Sequence, residues 1–353
     1  MPRKSLRRRR RSRRRSQRRS QRRSSKKKTT NRRPKSKKMR GGVTTRSAVR
    51  RGNHRFLSTL KAQDLTRLPE DVLGEIREMH PLLTPKLNNI TIRRAVYDYN
   101  INIRAKHFLV SKYGDISQWD VSNVTDMKWL FRDTSFNEPL NNWNVSNVTD
   151  MSGMFSRARF FNQPLNNWDV SNVTSMGEMF NCSDSWGDSS PQINHTSFNQ
   201  PLNNWNVSNV TNMSDMFASA TYFNQPLNKW NVSNVEKMWG MFSRARSFNQ
   251  PLNKWNVSNV TSMESMFRGA SSFNQPLNNW NMSKVVWINK MFKDASSFNQ
   301  PLNKWNVVGS RSQPEYDVYV SNAIMWDIFD GASSFDQRRH APWYVPREEE
   351  EEE

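Results

Sequence analysis

The chain has 353 residues, with 54 Lys or Arg against 31 Asp or Glu, a formal net charge of +23, 14 tryptophans and one cysteine. A lone cysteine excludes a disulfide framework and agrees with a reducing compartment, and no run approaches the roughly 20 apolar residues of a membrane-spanning helix. The charge is uneven: residues 1–51 hold 26 Lys or Arg and no acid, Glu348 to Glu353 are all glutamate, and the remainder carries only +3.

The first segment, 1–52, interleaves Arg and Lys with Ser, Gln and Thr and has almost no apolar residues. It has too little surface to bury against the entropy of ordering, so it is expected to be disordered in isolation. Arg7, Arg8, Arg9, Arg10, Arg13, Arg14, Arg15, Arg18, Arg19, Lys26, Lys27 and Lys28 are candidate nucleic-acid contacts. Guanidinium pairs bind phosphate bidentately, and each neutralised phosphate releases counterions. The same run suits a nuclear import receptor. Ser12, Ser16, Ser20 and Ser24 follow arginines, and phosphorylation at each would offset up to about two positive charges. The first 50 residues lack the apolar stretch of about 7–15 residues that a secretory signal needs, so the expected location is intracellular, in a nucleus or a virion.

Residues 53–112 lack tryptophan and have helical spacing. Pro69 starts a predicted helix with Glu70 and Asp71 in its first turn, and Val72, Leu73, Ile76 and Met79 form one stripe. Further helices are predicted near 92–99 and 103–112, and the region is expected to cap the residues C-terminal to it. The run LTRLPEDVLGEIREM resembles the opening of an F-box, with Arg77 where such motifs keep a large apolar residue.

From 113 to 337 the sequence repeats. Trp119, Trp143, Trp168, Trp205, Trp230, Trp255, Trp280 and Trp305 are separated by 24, 25, 37, 25, 25, 25 and 25 residues, a period of 25 with one 12-residue insertion. A second insertion of 12 precedes Phe335, which lies 37 residues after Phe298. In the copy from Trp230 the apolar residues are Trp230, Val232, Val235, Met238, Met241, Phe242, Ala245, Phe248 and Leu252. The three-and-four spacing from Val235 to Phe248 predicts helical or 3-10 turns, and Phe248 to Leu252 a brief strand. Such a unit cannot close a core alone, so the copies are expected to stack as a solenoid with aligned Trp, Met and Phe columns. Asn249, Asn256 and Asn259 are expected to form ladders along the stack. Residues 338–353 form an acidic tail.

The pattern WDVSNVTDM, then MF, Ala and FNQPL, resembles the BspA-like leucine-rich-repeat family of surface-protein repeats. The resemblance implies a non-enzymatic solenoid used for adhesion or protein binding, of a kind found on bacterial surfaces and in sets in some protists and large DNA viruses.

Binding is expected where the pattern breaks, because loops on a rigid scaffold carry recognition. The insertion near 181–197 carries Trp186, Cys182 and His195, and the one near 308–319 carries Tyr316 and Tyr319; Trp186, Tyr316 and Tyr319 are candidate protein contacts. One Cys and one His make no zinc set. Lys229, Lys254 and Lys304 before the tryptophans, and Arg157, Arg244, Arg268 and Lys293 after the Met-Phe pair, are expected to form basic stripes. The five histidines show no nucleophile context, and no phosphate-binding Gly-rich loop or metal pair is present. The expectation is a non-enzyme without catalytic residues, metal or cofactor. It would be a protein-binding scaffold whose tail engages nucleic acid, as in a component of a large DNA virus particle; the alternative is an F-box-like substrate receptor of a ubiquitin ligase.

Overall fold

The computed structural model describes residues 85–183, 195–305, 307 and 326–344, all within the unit formed by residues 48–353. The basic tail, residues 65–79, residues 345–353 and most of both insertions lie outside the described residues, whereas residues 338–344 of the expected acidic tail are described and belong to the end of the array.

Two helices precede the repeats. Helix α1, Asn89–Ile101, is capped by Asn88, whose Oδ1 accepts from the backbone N–H of Ile90 and Thr91 at 3.0 and 2.9 Å. The Thr91 hydroxyl oxygen accepts from the Asn88 N–H in return, completing a capping box. Asn102 ends α1 and caps α2, Ile103–Tyr113, which stops at Gly114 with φ 79°. Ile92, Ala95, Val96 and Tyr99 of α1 and Leu109 and Tyr113 of α2 join the same apolar core as the repeats.

Consecutive copies stack in parallel. At each of the first six steps four backbone N–H groups donate to the next copy, and three do so at the last among the described residues: those of Met238, Gly240, Phe242 and Arg244 reach the carbonyls of Ser262, Glu264, Met266 and Arg268 at 3.0, 2.8, 2.9 and 2.5 Å. The intervening N–H groups bond three residues back within their own copy, as Met241 does to Met238 at 3.2 Å and Ala245 to Phe242 at 3.0 Å. Alternate peptides therefore lie along the stack and across it, which pairs these main-chain groups without a helix or a strand.

The brief strand expected from Phe248 to Leu252 is thus corrected, while the bonds three residues back are single turns of the 3-10 type expected from Val235 to Phe248, not continued into helices. Among the described residues no strand forms, and the repeats are turns linked by isolated parallel bridges running from Asp126 through Asp150, Ser175, Asn212, Lys237 and Ser262 to Trp287. The Phe248 to Leu252 stretch makes no ladder of its own. Pro251 has no N–H to give, and the Asn249 N–H is taken by the Asn224 side chain at 3.0 Å.

The aromatic columns run the length of the array. The first, Phe131 through Phe155, Phe180, Phe217, Phe242, Phe267 and Phe292 to Phe329, has ring centroids 5.4–5.8 Å apart. A second column ending at Phe298 and Phe335 keeps spacings of 5.6–6.1 Å. Both insertions leave this register intact: Phe180 still stacks on Phe217 and Phe292 on Phe329. In the recurring tryptophan column, each indole N–H from Trp168 to Trp305 is satisfied by the copy before it, as Trp255 Nε1 donates to the Leu227 carbonyl at 3.1 Å.

The Asn249 column forms the expected ladder, in which Asn249 Oδ1 accepts from Asn274 N and Gln275 Nε2, both at 3.0 Å. Asn259 reaches the preceding copy's Ser233 carbonyl at 2.7 Å. Asn256 does not ladder; its Oδ1 accepts from Ser258 N at 3.2 Å inside its own turn, the local bond that short amide side chains favour.

The first rung is closed by α1. Asn89 Oδ1 accepts from the N–H of Thr125 and Asp126 at 2.9 and 3.1 Å. Arg93 Nη1 donates to the Lys128 carbonyl at 2.6 Å while its Nη2 pairs with Asp126 at 2.8 Å. These are groups that an earlier copy would otherwise bond. At the far end Trp343, 38 residues after Trp305, enters the indole column, stacking at 6.1 Å and donating to the Leu302 carbonyl at 2.9 Å.

Candidate ligand cleft on the repeat array

The alternating peptides require left-handed backbone at two positions of most copies. Trp129, Gly153, Glu178, Asp215, Gly240, Ser265 and Lys290 form one such column, and Asp133, Arg157, Ser219, Arg244, Gly269 and Asp294 the other. A left-handed residue with a Cβ costs about 1–2 kcal/mol, which the inter-copy bonds offset. Side chains from these positions lie along the stack over the next copy. A Cβ on Gly240 would stand 1.9 Å from Asp215 Oδ1, and one on Gly269 would stand 3.3 Å from Arg244 Cγ. Glycine is therefore required at 240 where Asp215 lies across it.

The side chains so directed line a cleft of about 550 Å³ that runs across the array from Arg132 to Lys290. Its charges have mixed sign. Arg157 is held by Asp133 through Nε at 2.6 Å and Nη2 at 2.8 Å. Arg244 and Arg268 are half-buried, on adjacent copies, and no carboxylate within ion-pair distance reaches them among the described residues. Trp239 and Lys290 line the same cleft. Asp215 sits half-buried among them, and burial, with the nearby carboxylates of Glu178 and Glu264 adding to it, pushes its pKa up to about 8. Glu264 Oε1 accepts from Asn289 Nδ2 at 2.6 Å. A second groove of about 480 Å³ has a polar lining that includes Asn209, Asn234 and Asn259.

Of the residues that the sequence pattern singles out, Arg157, Arg244 and Arg268 line this cleft, and the others fall elsewhere. The twelve basic residues from Arg7 to Lys28, together with Trp186, Tyr316 and Tyr319, lie outside the described residues. Cys182 is fully buried, and His195 meets the Tyr222 ring edge-on at 5.5 Å. Lys229, Lys254 and Lys304 are exposed. The other expected stripe is two columns: Arg157 and Arg244 share one, Arg268 and Lys293 the next, because each position is one residue removed from the other after the Met-Phe pair. Lys293 pairs with Asp327 and Asp330 on the following copy. Asp215, Trp239 and Glu264 are not singled out by sequence; their signal is that they replace small residues at variable positions between the two recurring methionine slots of the motif.

Among the described residues, no group of three or more His, Cys, Asp or Glu is placed to hold a metal ion, and no helix is long and apolar enough to cross a membrane.

A stack of near-identical turns with internal aromatic columns and a charged cleft on one face defines a repeat protein. The family model described as "Mycoplasma protein of unknown function, DUF285" matches residues 102–195, 189–267 and 235–343, which together span most of the chain. The chain belongs to this family, in agreement with a BspA-like repeat. Neither a curated protein nor a solved structure matches it.

Proposed function

We propose that the protein is a non-enzymatic scaffold: a leucine-rich-repeat-like solenoid that binds protein, joined to a basic tail that binds nucleic acid. The supporting observation for the array is its continuous stacking, with several main-chain bonds at every step, which fixes surface side chains in columns that a partner meets as one rigid face. For the tail it is the 26 cationic residues among the first 51. The pairing of the two suits a nucleoprotein component such as a large DNA virus particle, within a nucleus or virion. The test is binding of duplex DNA and single-stranded RNA by the full chain across a salt series. The expected result is affinity that falls steeply with salt and disappears on deleting residues 1–51; affinity unchanged in the deletion would refute the tail assignment.

The run at 65–79 supports a second reading, an F-box-like receptor that presents targets to a ubiquitin ligase. Recovery of the ligase adaptor in a pull-down, lost in Leu73→Asp, would favour it over the first.

A further inference from the structure

We infer that the cleft between Arg132 and Lys290 binds an extended acidic segment of a partner protein, with Arg244 and Arg268 receiving its carboxylates and Trp239 an apolar side chain beside them. This rests on the reading of the array as a protein-binding scaffold and names the class of partner.

Three observations carry it. First, Arg244 and Arg268 are half-buried guanidinium groups without carboxylate partners among the described residues, whereas Arg157 in the same cleft and Lys293 nearby are both paired within the array. A cation that gives up part of its hydration without a counter-charge is suited to a ligand that supplies one. Second, the two arginines line the same cleft from adjacent copies, in neighbouring columns of the array. An extended peptide places alternate side chains on one side, about 6.6–6.8 Å apart, so a segment laid across these copies offers a carboxylate to each flexible arginine. Third, Glu178 and Glu264 line the same cleft. They would repel the uninterrupted phosphates of a nucleic acid strand, while a peptide of mixed sequence can place uncharged or basic side chains against them. Asp215, between these glutamates, is mostly protonated at neutral pH and withholds a third negative charge.

The experiment uses the full chain and a nine-residue peptide of alternating Glu and Ala carrying a photo-reactive benzophenone, with the adducts mapped by mass spectrometry. Mapping separates the cleft from the basic tail, which attracts the same peptide. The expected result is labelling within 239–268 that falls at least about tenfold in Arg244→Ala/Arg268→Ala, while labelling of residues 1–51 persists. Cleft labelling should also weaken as pH rises through about 8 and lose that dependence in Asp215→Asn. Labelling confined to residues 1–51, or unchanged in the double variant, would overturn the proposal. A Gln-for-Glu peptide labelling the cleft equally well would overturn the acidic specificity while leaving the scaffold reading in place. Displacement of the peptide from the cleft by an oligothymidylate, with that strand crosslinking to Arg244 and Arg268, would overturn it in favour of nucleic acid. Should neither peptide label any part of the array, the proposal and the scaffold reading behind it would both lose their support.

Discussion

Replacing Trp255 by Ala removes an indole that is 4% exposed, stacks on Trp230 with centroids 6.4 Å apart, and lies 6.4 Å from the Phe242 ring. Truncation of a buried Trp costs about 3–5 kcal/mol through lost transfer energy and the cavity left behind. The Leu227 carbonyl, which accepts the indole N–H at 3.1 Å, also loses its side-chain donor, a contribution of about 1 kcal/mol within that range. Trp255→Phe keeps an aromatic ring in the column while removing the donor and part of the ring volume, so it should cost less than Ala, about 1–3 kcal/mol. Because each copy touches only its neighbours, the damage should concentrate at the interface between the copies of Trp230 and Trp255. Urea denaturation of the full chain followed by circular dichroism gives the stability change, and amide exchange locates it. A loss under about 1 kcal/mol for Trp255→Ala, or a larger loss for the Phe variant than for Ala, would refute a packed indole column.

Asn249→Ala deprives Asn274 N and Gln275 Nε2 of their acceptor and should lower stability by about 1–3 kcal/mol, with Asn249→Asp recovering most of it, as read by the urea midpoint. Gly240→Ala places a Cβ at φ 63° and 1.9 Å from Asp215 Oδ1, so about 2 kcal/mol should be lost, and Asp215→Ala should relieve the collision but not the backbone cost. Asp215 carries a pKa raised from 3.8 to about 8 in the folded chain, so folding favours its protonated form. Its contribution to stability is full below about pH 4, declines as pH rises through about 8, and is constant above. Asp215→Asn should therefore gain stability relative to the parent between those limits, and a constant difference between the two proteins from about pH 4 to 9 would contradict the buried-carboxylate account. Deleting residues 341–344 removes Trp343 from the end of the indole column and should raise amide exchange in the copy of Trp305 more than in that of Trp168.

The 25-residue recurrence determined by itself that this is a stacked array. A unit whose apolar side chains recur at the same positions in copy after copy has nowhere to bury them except against the next copy, so the Trp and Phe columns and the Asn249 ladder were legible as soon as the period was. The helices near 92–99 and 103–112 were legible because helical spacing is a local signal, while their capping by Asn88 and Asn102 was seen only in the structure.

Tertiary structure alone decided how the main chain satisfies itself. The left-handed positions are occupied by Trp129, Glu178, Arg244 and Lys290 as readily as by Gly240, so composition gave no sign of them; the conformation is held by bonds to a neighbouring copy about 25 residues away. That same geometry lays Asp215 and Arg244 over the following copy and assembles the cleft from residues whose relation in sequence is only their offset from the repeat. The closure of the first rung by Asn89 and Arg93, and the entry of Trp343 into the last, follow the same rule. They satisfy groups left over because the array has ends, and the ends are a property of the stack and not of any one copy.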